Sequence, residues 1–225
     1  MIEIIPTYVP RDEEDLAAGA ERIRSFTTAI HIDVDDGLFA PHITWPYVKQ
    51  GEFRAFGLGA VRGLSADVHL MIEEPRELGI AFAHAGAVRI MGHAEAFADT
   101  NEAHGALNAW RQAGAKEVGL GLLLPTPFEV IAPLVPACDV VHLMSIATIG
   151  TQGIPYDPSA PARIAQFHMQ FPEVKISVDG GVAESNIADL VRAGATRFGI
   201  GSAISKAPDP KAAYEKLMQI AKQAL

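Results

Sequence analysis

Two short segments, far apart in the chain, end in groups able to hold a cation and move a proton. HIDVDDG at 31–37 and VDGGV at 178–182 are apolar, β-branched runs that break off in carboxylates and glycines. A buried strand reads this way where it opens into a working loop. A third run, ADVHLM at 66–71, carries a histidine near its end. His31, Asp33, His69 and Asp179 make a mixed nitrogen and oxygen donor set suited to Zn²⁺, and also to Mn²⁺, Fe²⁺ or Co²⁺. A metal there holds vicinal oxygens of a ketose and stabilises an enediolate as a Lewis acid. With one carboxylate protonated and the other ionised, a proton leaves one face of a carbon and returns to the other. That chemistry is epimerisation.

Side chains alternate along a strand, so His31, Asp33 and Asp35 share one face, as do Asp67, His69 and Met71, and Lys175, Ser177 and Asp179. Strand-like runs recur at 2–9, 29–34, 66–71, 87–92, 117–124, 139–146, 174–180 and 196–202, with amphipathic stretches such as 12–26, 100–113, 158–170, 184–193 and 210–224 between them. Continuous apolar strands joined through helices form a parallel sheet covered by helices. About eight such units predict an α/β chain folded as a single (β/α)₈ TIM barrel over residues 1–225. No G-x-G-x-x-G fingerprint follows the first strand, which argues against an open dinucleotide-binding sheet. In the barrel, the second and seventh strands lie three steps apart, through the first and eighth, so Asp33 and Asp179 face each other across the C-terminal mouth.

An anion site is expected on the same face. Gly180 and Gly181 follow the seventh strand, and GIGSAI at 199–204 closes the eighth and opens a short helix. Glycines let backbone approach a phosphate, and a helix N-terminus aims N–H groups at it. The Gly/Thr/Pro-rich loop 147–157 is the expected mobile lid.

Composition narrows the partners. The chain has 225 residues, 49% hydrophobic and 20% charged, with a net charge of −9. This acidity argues against nucleic acid and against an anionic membrane surface. The single cysteine, Cys138, permits no intrachain disulfide. The N-terminus lacks signal-peptide character, and prolines interrupt the apolar stretch 118–137. A cytoplasmic location is expected, with association into a homo-oligomer left open.

The motifs, taken together, resemble the ribulose-phosphate 3-epimerases. They are His31-x-Asp33 within HIDVDDGLFAPHIT, His69 in DVHLM, HAEA at 93–96, LMS at 143–145, VDGGVAESNI at 178–187 and GSAI at 201–204. The match runs in order along nearly the whole chain. It implies a divalent metal, Zn²⁺ first, on His31, Asp33, His69 and Asp179, with Asp33 and Asp179 as the acid–base pair. It implies a phosphorylated ketose as substrate, by default D-ribulose 5-phosphate and D-xylulose 5-phosphate. Phosphate contacts are implied at Gly180, Gly181, Gly201 and Ser202, with Gly150 and Gly153 carried over from an altered loop. Thr7 matches a serine that lines the substrate site; Met71 and Met144 match methionines packed around metal and substrate.

The chain departs from the family pattern near the site. Asp35 replaces a methionine, His42 an asparagine, and His142 an apolar residue on the sixth strand, while Thr148 to Gly153 replaces the usual phosphate loop. These changes point to a different ketose phosphate with the chemistry retained. A barrel decarboxylase acting on a sugar-acid phosphate is a competing reading. It would show Asp-x-Lys-x-x-Asp at a strand end, and the region here, Asp33-Val34-Asp35-Asp36, lacks the lysine. A non-catalytic sugar-phosphate-binding homologue is the other alternative.

Overall fold

The structure is a computed structural model that describes residues 1–150 and 153–225. Its framework is a closed barrel of eight parallel strands. These are β1 (Glu3–Tyr8), β2 (Ala29–Asp35), β3 (Ser65–Met71), β4 (Arg89–His93), β5 (Glu117–Leu122), β6 (Val140–Met144), β7 (Lys175–Asp179) and β8 (Arg197–Ile200). Each pairs with the next in chain order, and β8 closes on β1 with Glu3 opposite Arg197. Helices α1 (Glu13–Arg24), α2 (Pro75–Ala85), α3 (Thr100–Gln112), α4 (Ala160–Gln170), α5 (Ile187–Arg192), α6 (Ser202–Ser205) and α7 (Pro210–Gln223) connect them. Among the described residues no helix is long and apolar enough to cross a membrane.

Strand parity sorts the two faces. On β2, Ile30, Ile32 and Val34 are fully buried in one apolar core with Leu16, Ala20 and Ile23 of α1. The alternate residues His31, Asp33 and Asp35 are buried too, but they meet polar groups or the cavity at the mouth. The main apolar core therefore lies between barrel and helices, while the barrel interior is largely polar. Its lower end is an ion-pair lattice: Arg89 reaches Asp67 at 2.7 Å and Glu117 at 2.6 Å, and Glu117 also accepts from Arg197 at 3.0 Å and Lys175 at 2.6 Å. Four cation–carboxylate contacts answer the cost of burying these charges.

The helices start where capping chemistry allows. Asp12, Asp99 and Asp209 accept backbone N–H groups at the starts of α1, α3 and α7, and Gly86 ends α2 in the left-handed region at φ 103°. The alternation is incomplete. Among the described residues no α-helix follows β2 or β5. The first gap holds a two-stranded ribbon (Tyr47–Lys49 with Glu52–Phe53), and the second holds 3₁₀ turns at Phe128–Val130 and Val135–Ala137. Pro125, Pro127, Pro133 and Pro136 each lack the N–H an α-helix would need there. A second apolar cluster, Ala40, Met71, Met144, Ile146 and Ile149, sits at the C-terminal mouth.

Candidate active site

A cavity of about 300 Å³ opens at that mouth. Thr7, Asp33, Asp35, His69, Met71, Met144, Gly150, Gly153, Asp179, Gly180, Gly181, Gly201 and Ser202 all line it. His31 is not on the wall; it lies against it, with Nε2 3.3 Å from Asp33 Oδ1 and 3.7 Å from Asp179 Oδ2. Thr151 and Gln152, within the loop expected to be a lid, lie outside the described residues. The ends of that loop are pinned by a bridge between Ile146 and Tyr156 and by Asp157 donating its N–H to the Ser145 carbonyl at 2.9 Å. The helix expected after the eighth strand is a single turn, α6. Its dipole is small, so any anion held there depends on backbone N–H groups and the Ser202 hydroxyl.

Each site side chain has a supporting partner or conspicuously lacks one. His31 turns Nδ1 towards Asp67 Oδ2 at 3.4 Å, and Arg89 anchors Asp67 in turn. This arrangement fixes the ring and leaves Nε2 facing the two carboxylates. His69 has Nδ1 3.1 Å from Asp33 Oδ1 and Nε2 2.8 Å from His93 Nε2, and His93 Nδ1 lies 3.4 Å from Glu95 Oε2. Asp36 is the turn residue its place before Gly37 suggests: Oδ1 accepts from Leu38 and Phe39, and Oδ2 from Glu73. Asp35 is fully buried and neither of its oxygens has a partner.

Burial alone would push both acids of the pair upward, but their neighbours separate them. Burial opposes ionisation of Asp33, yet the His31 and His69 imidazoles beside it outweigh burial and hold Asp33 below the ordinary carboxylate range. Asp179 is raised by burial and by the Asp33 charge. The two acids thus sit in opposite protonation states over the range between. Burial, with Asp33 and Asp36 nearby, raises Asp35 to about 8. Burial also lowers His69, to about 4, against the pull of Asp33.

His31, His69, His142 and Asp179 can each offer one donor atom, with all four atoms within 4.8 Å of one another. His31 Nε2 and His142 Nε2 are both buried without a hydrogen-bond partner. Unpaired imidazole nitrogens converging with a carboxylate fit a divalent cation. Sequence reasoning places His142 near the site, as a departure on the face of Met144, but does not assign it as a ligand. It also overlooked Gly199, where an added Cβ would come within 2.7 Å of Asp179 Oδ2 and 3.1 Å of Thr7 Oγ1. Gly121 on β5 is similar, since a Cβ there would meet the His93 ring at 3.0 Å. The Gly-x-Gly of β5 was the available signal: Gly121 leaves an inward position empty for the His93 imidazole of β4, and Gly119 leaves one for Val140 of β6.

Residues 3–205 match the family model described as the ribulose-phosphate 3 epimerase family. The chain belongs to the ribulose-phosphate 3-epimerase family. A ribulose-phosphate 3-epimerase of Bacillus subtilis is 32% identical over 96% of this chain and 98% of its own length. The enzyme of that name from Mycobacterium tuberculosis is 30% identical, covering 95% and 90%. Family members so named are carbohydrate epimerases of the isomerase class. The structure of 3-hexulose-6-phosphate synthase from Salmonella typhimurium superposes with a TM-score of 0.65 at 15% identity, covering both chains fully. At that identity the likeness speaks for the barrel alone.

Proposed function

We propose that the protein is a metal-dependent 3-epimerase of ketose phosphates, with D-ribulose 5-phosphate and D-xylulose 5-phosphate as the default pair. The observation that carries this reading is the placement of Asp33 and Asp179. They stand on strands three steps apart in the barrel order, line the same cavity and share His31 Nε2 between them. A carbon held in that cavity has one carboxylate available to either face. Asp33, favoured in its ionised form, takes the proton at C3 from one epimer. Asp179, favoured in its protonated form, returns a proton to the opposite face, and the reverse reaction exchanges the roles.

His31, Asp33, His69 and Asp179 would hold the cation. When bound, a divalent ion supplies Lewis-acid stabilisation of charge developing on the substrate oxygens, and Zn²⁺ suits this donor set best. Met71 and Met144 shield the reacting carbons from water within the apolar cluster at the mouth. Thr7, with Oγ1 buried and unpartnered, offers a hydroxyl to the substrate. Phosphate would lie across Gly180, Gly181, Gly201 and Ser202, with Gly150 and Gly153 closing from the loop side. Gly180 at φ 111° and Gly181 at φ 66° occupy left-handed backbone, where their N–H groups can turn towards an anion.

Purified protein supplied with Zn²⁺, Mn²⁺ or Fe²⁺ in D₂O should wash deuterium into C3 of a ketose phosphate and form its epimer. Absence of C3 exchange across a panel of ketose phosphates would overturn the proposal. Asp35, with two unpartnered oxygens, lines the same cavity and supplies a further polar group that a substrate could engage. A hydroxyl of the ketose phosphate that reached it would satisfy it.

A further inference from the structure

We infer that His142 is a metal ligand of this chain, joining His31, His69 and Asp179 in a site of three imidazoles and one carboxylate that selects Zn²⁺ over Mn²⁺. The inference rests on the reading that the barrel mouth holds a divalent cation. It puts His142 in the place that the family resemblance gives to Asp33, and adds a metal preference that neither the resemblance nor strand parity assigns.

His142 sits midway along β6, opposite Ser177 of β7 on one side and Gly121 of β5 on the other. Its side chain is fully buried, and Nδ1 lies 2.9 Å from Ser177 Oγ. With Ser177 accepting from Nδ1–H, the lone pair is on Nε2, the tautomer a ligating histidine requires. Nε2 has no hydrogen-bond partner, and a buried polar atom left unpaired is costly. His31 Nε2 is in the same condition. The His142 ring stacks on His31 at 5.5 Å and 21° and meets His69 edge-on at 4.6 Å, so the three imidazoles converge. With the Asp179 carboxylate, their donor atoms span no more than 4.8 Å; metal–ligand bonds of about 2.0–2.2 Å call for a tighter cluster, so the widest-spaced donors would draw inward on binding. Asp33 falls outside that foursome.

The consequence is chemical. Imidazole nitrogen suits Zn²⁺, whereas Mn²⁺ prefers carboxylate and water oxygens. A third imidazole also adds no negative charge, so the site retains more of the ion's positive charge than two imidazoles with two carboxylates would. That offsets the extra acid, Asp35, on the neighbouring wall.

The test uses the full chain stripped of metal by a chelator, then titrated separately with Zn²⁺ and Mn²⁺ against a competing chromogenic chelator. Visible absorption of the Co²⁺ form provides a second readout. His142→Leu should weaken Zn²⁺ at least ~10–100-fold and change the Co²⁺ bands, while Mn²⁺ affinity moves less than about threefold. Ser177→Ala should weaken Zn²⁺ by about tenfold through the misdirected ring. Thermal melts of the metal-free variants check folding, and His142→Asn replaces the leucine variant if that one does not fold. Zn²⁺ affinity within threefold of wild type and unchanged Co²⁺ bands in a folded His142 variant would overturn the inference. If His31→Ala abolishes binding in the same series, the metal site itself survives without His142. If the unmodified chain retains none of the three ions, the metal reading falls, and this inference with it.

Discussion

Asp35 and Asp36 are adjacent and both buried, yet the Asp36 carboxylate accepts three backbone N–H groups and the Asp35 carboxylate accepts none. An unsatisfied buried carboxyl costs roughly 1–3 kcal/mol, and a fold retains that cost where a ligand later removes it. Asp35→Leu should therefore raise stability by ~1–3 kcal/mol in urea melts. The same change should raise KM roughly tenfold or more while leaving kcat within a few-fold, because the lost contact belongs to binding. A leucine variant that is less stable and binds substrate normally would remove Asp35 from the site. The acid pair is tested by asymmetry. Asp33→Asn and Asp179→Asn should each lower epimerisation by ~10²–10⁴-fold. Each variant, checked for metal content, should still exchange C3 deuterium from the one epimer whose proton faces the surviving acid. Loss or survival of exchange from both epimers equally in either variant would contradict a two-acid mechanism.

At the scale of the elements, the question is how strands made mostly of outward apolar residues place inward polar ones to within an ångström. Gly199 on β8 is one answer, since only a missing side chain leaves room for Asp179 Oδ2 and Thr7 Oγ1 together. Gly199→Ala should displace Asp179 and lower kcat by about 10²-fold, with a melting temperature within a few degrees of wild type. Equal loss of stability and activity would mean that Gly199 serves packing alone. Much of the framework was legible beforehand, because alternation in HIDVD and DVHLM declares which residues share a face and the eight apolar runs declare the barrel. Legibility failed where the answer depends on a neighbouring strand. His142 becomes a site residue only because Ser177 and Gly121 flank it in register, and His93 approaches His69 only because Gly121 is bare. The helix missing after β5 has a local cause that the sequence shows, the series Pro125, Pro127, Pro133 and Pro136.

At the scale of the whole molecule, the two ends of the barrel interior are built on opposite terms. The mouth keeps unpartnered polar atoms on Thr7, His31, Asp35 and His142, whereas the lower end pairs its charges densely around Glu117. Glu117 lies on β5, yet it binds cations from β4, β7 and β8, so it ties together strands that are up to 80 residues apart in sequence. Burial would raise its pKa, but Lys175, Arg89 and Arg197 outweigh burial and hold it at about 2, below its ordinary 4.5. Because the folded value is depressed, the unfolded chain takes up a proton first as pH falls. The stability from this group is complete above about pH 4.5 and is lost as pH falls towards about 2. Glu117→Gln should cost about 2 kcal/mol at pH 7, a fall in Tm of ~4–8 °C. The same variant should lose stability less steeply than wild type between pH 5 and about 2, since the group that takes up the proton is gone. Its kcat at pH 7 should stay close to wild type below the new Tm, because Glu117 is linked to the mouth indirectly, through Arg89, Asp67 and His31. Parallel acid-denaturation slopes for the two proteins would show that Glu117 does not carry this linkage. A large fall in kcat with metal content intact would instead show that the lower end of the barrel orients His31 through that chain of contacts.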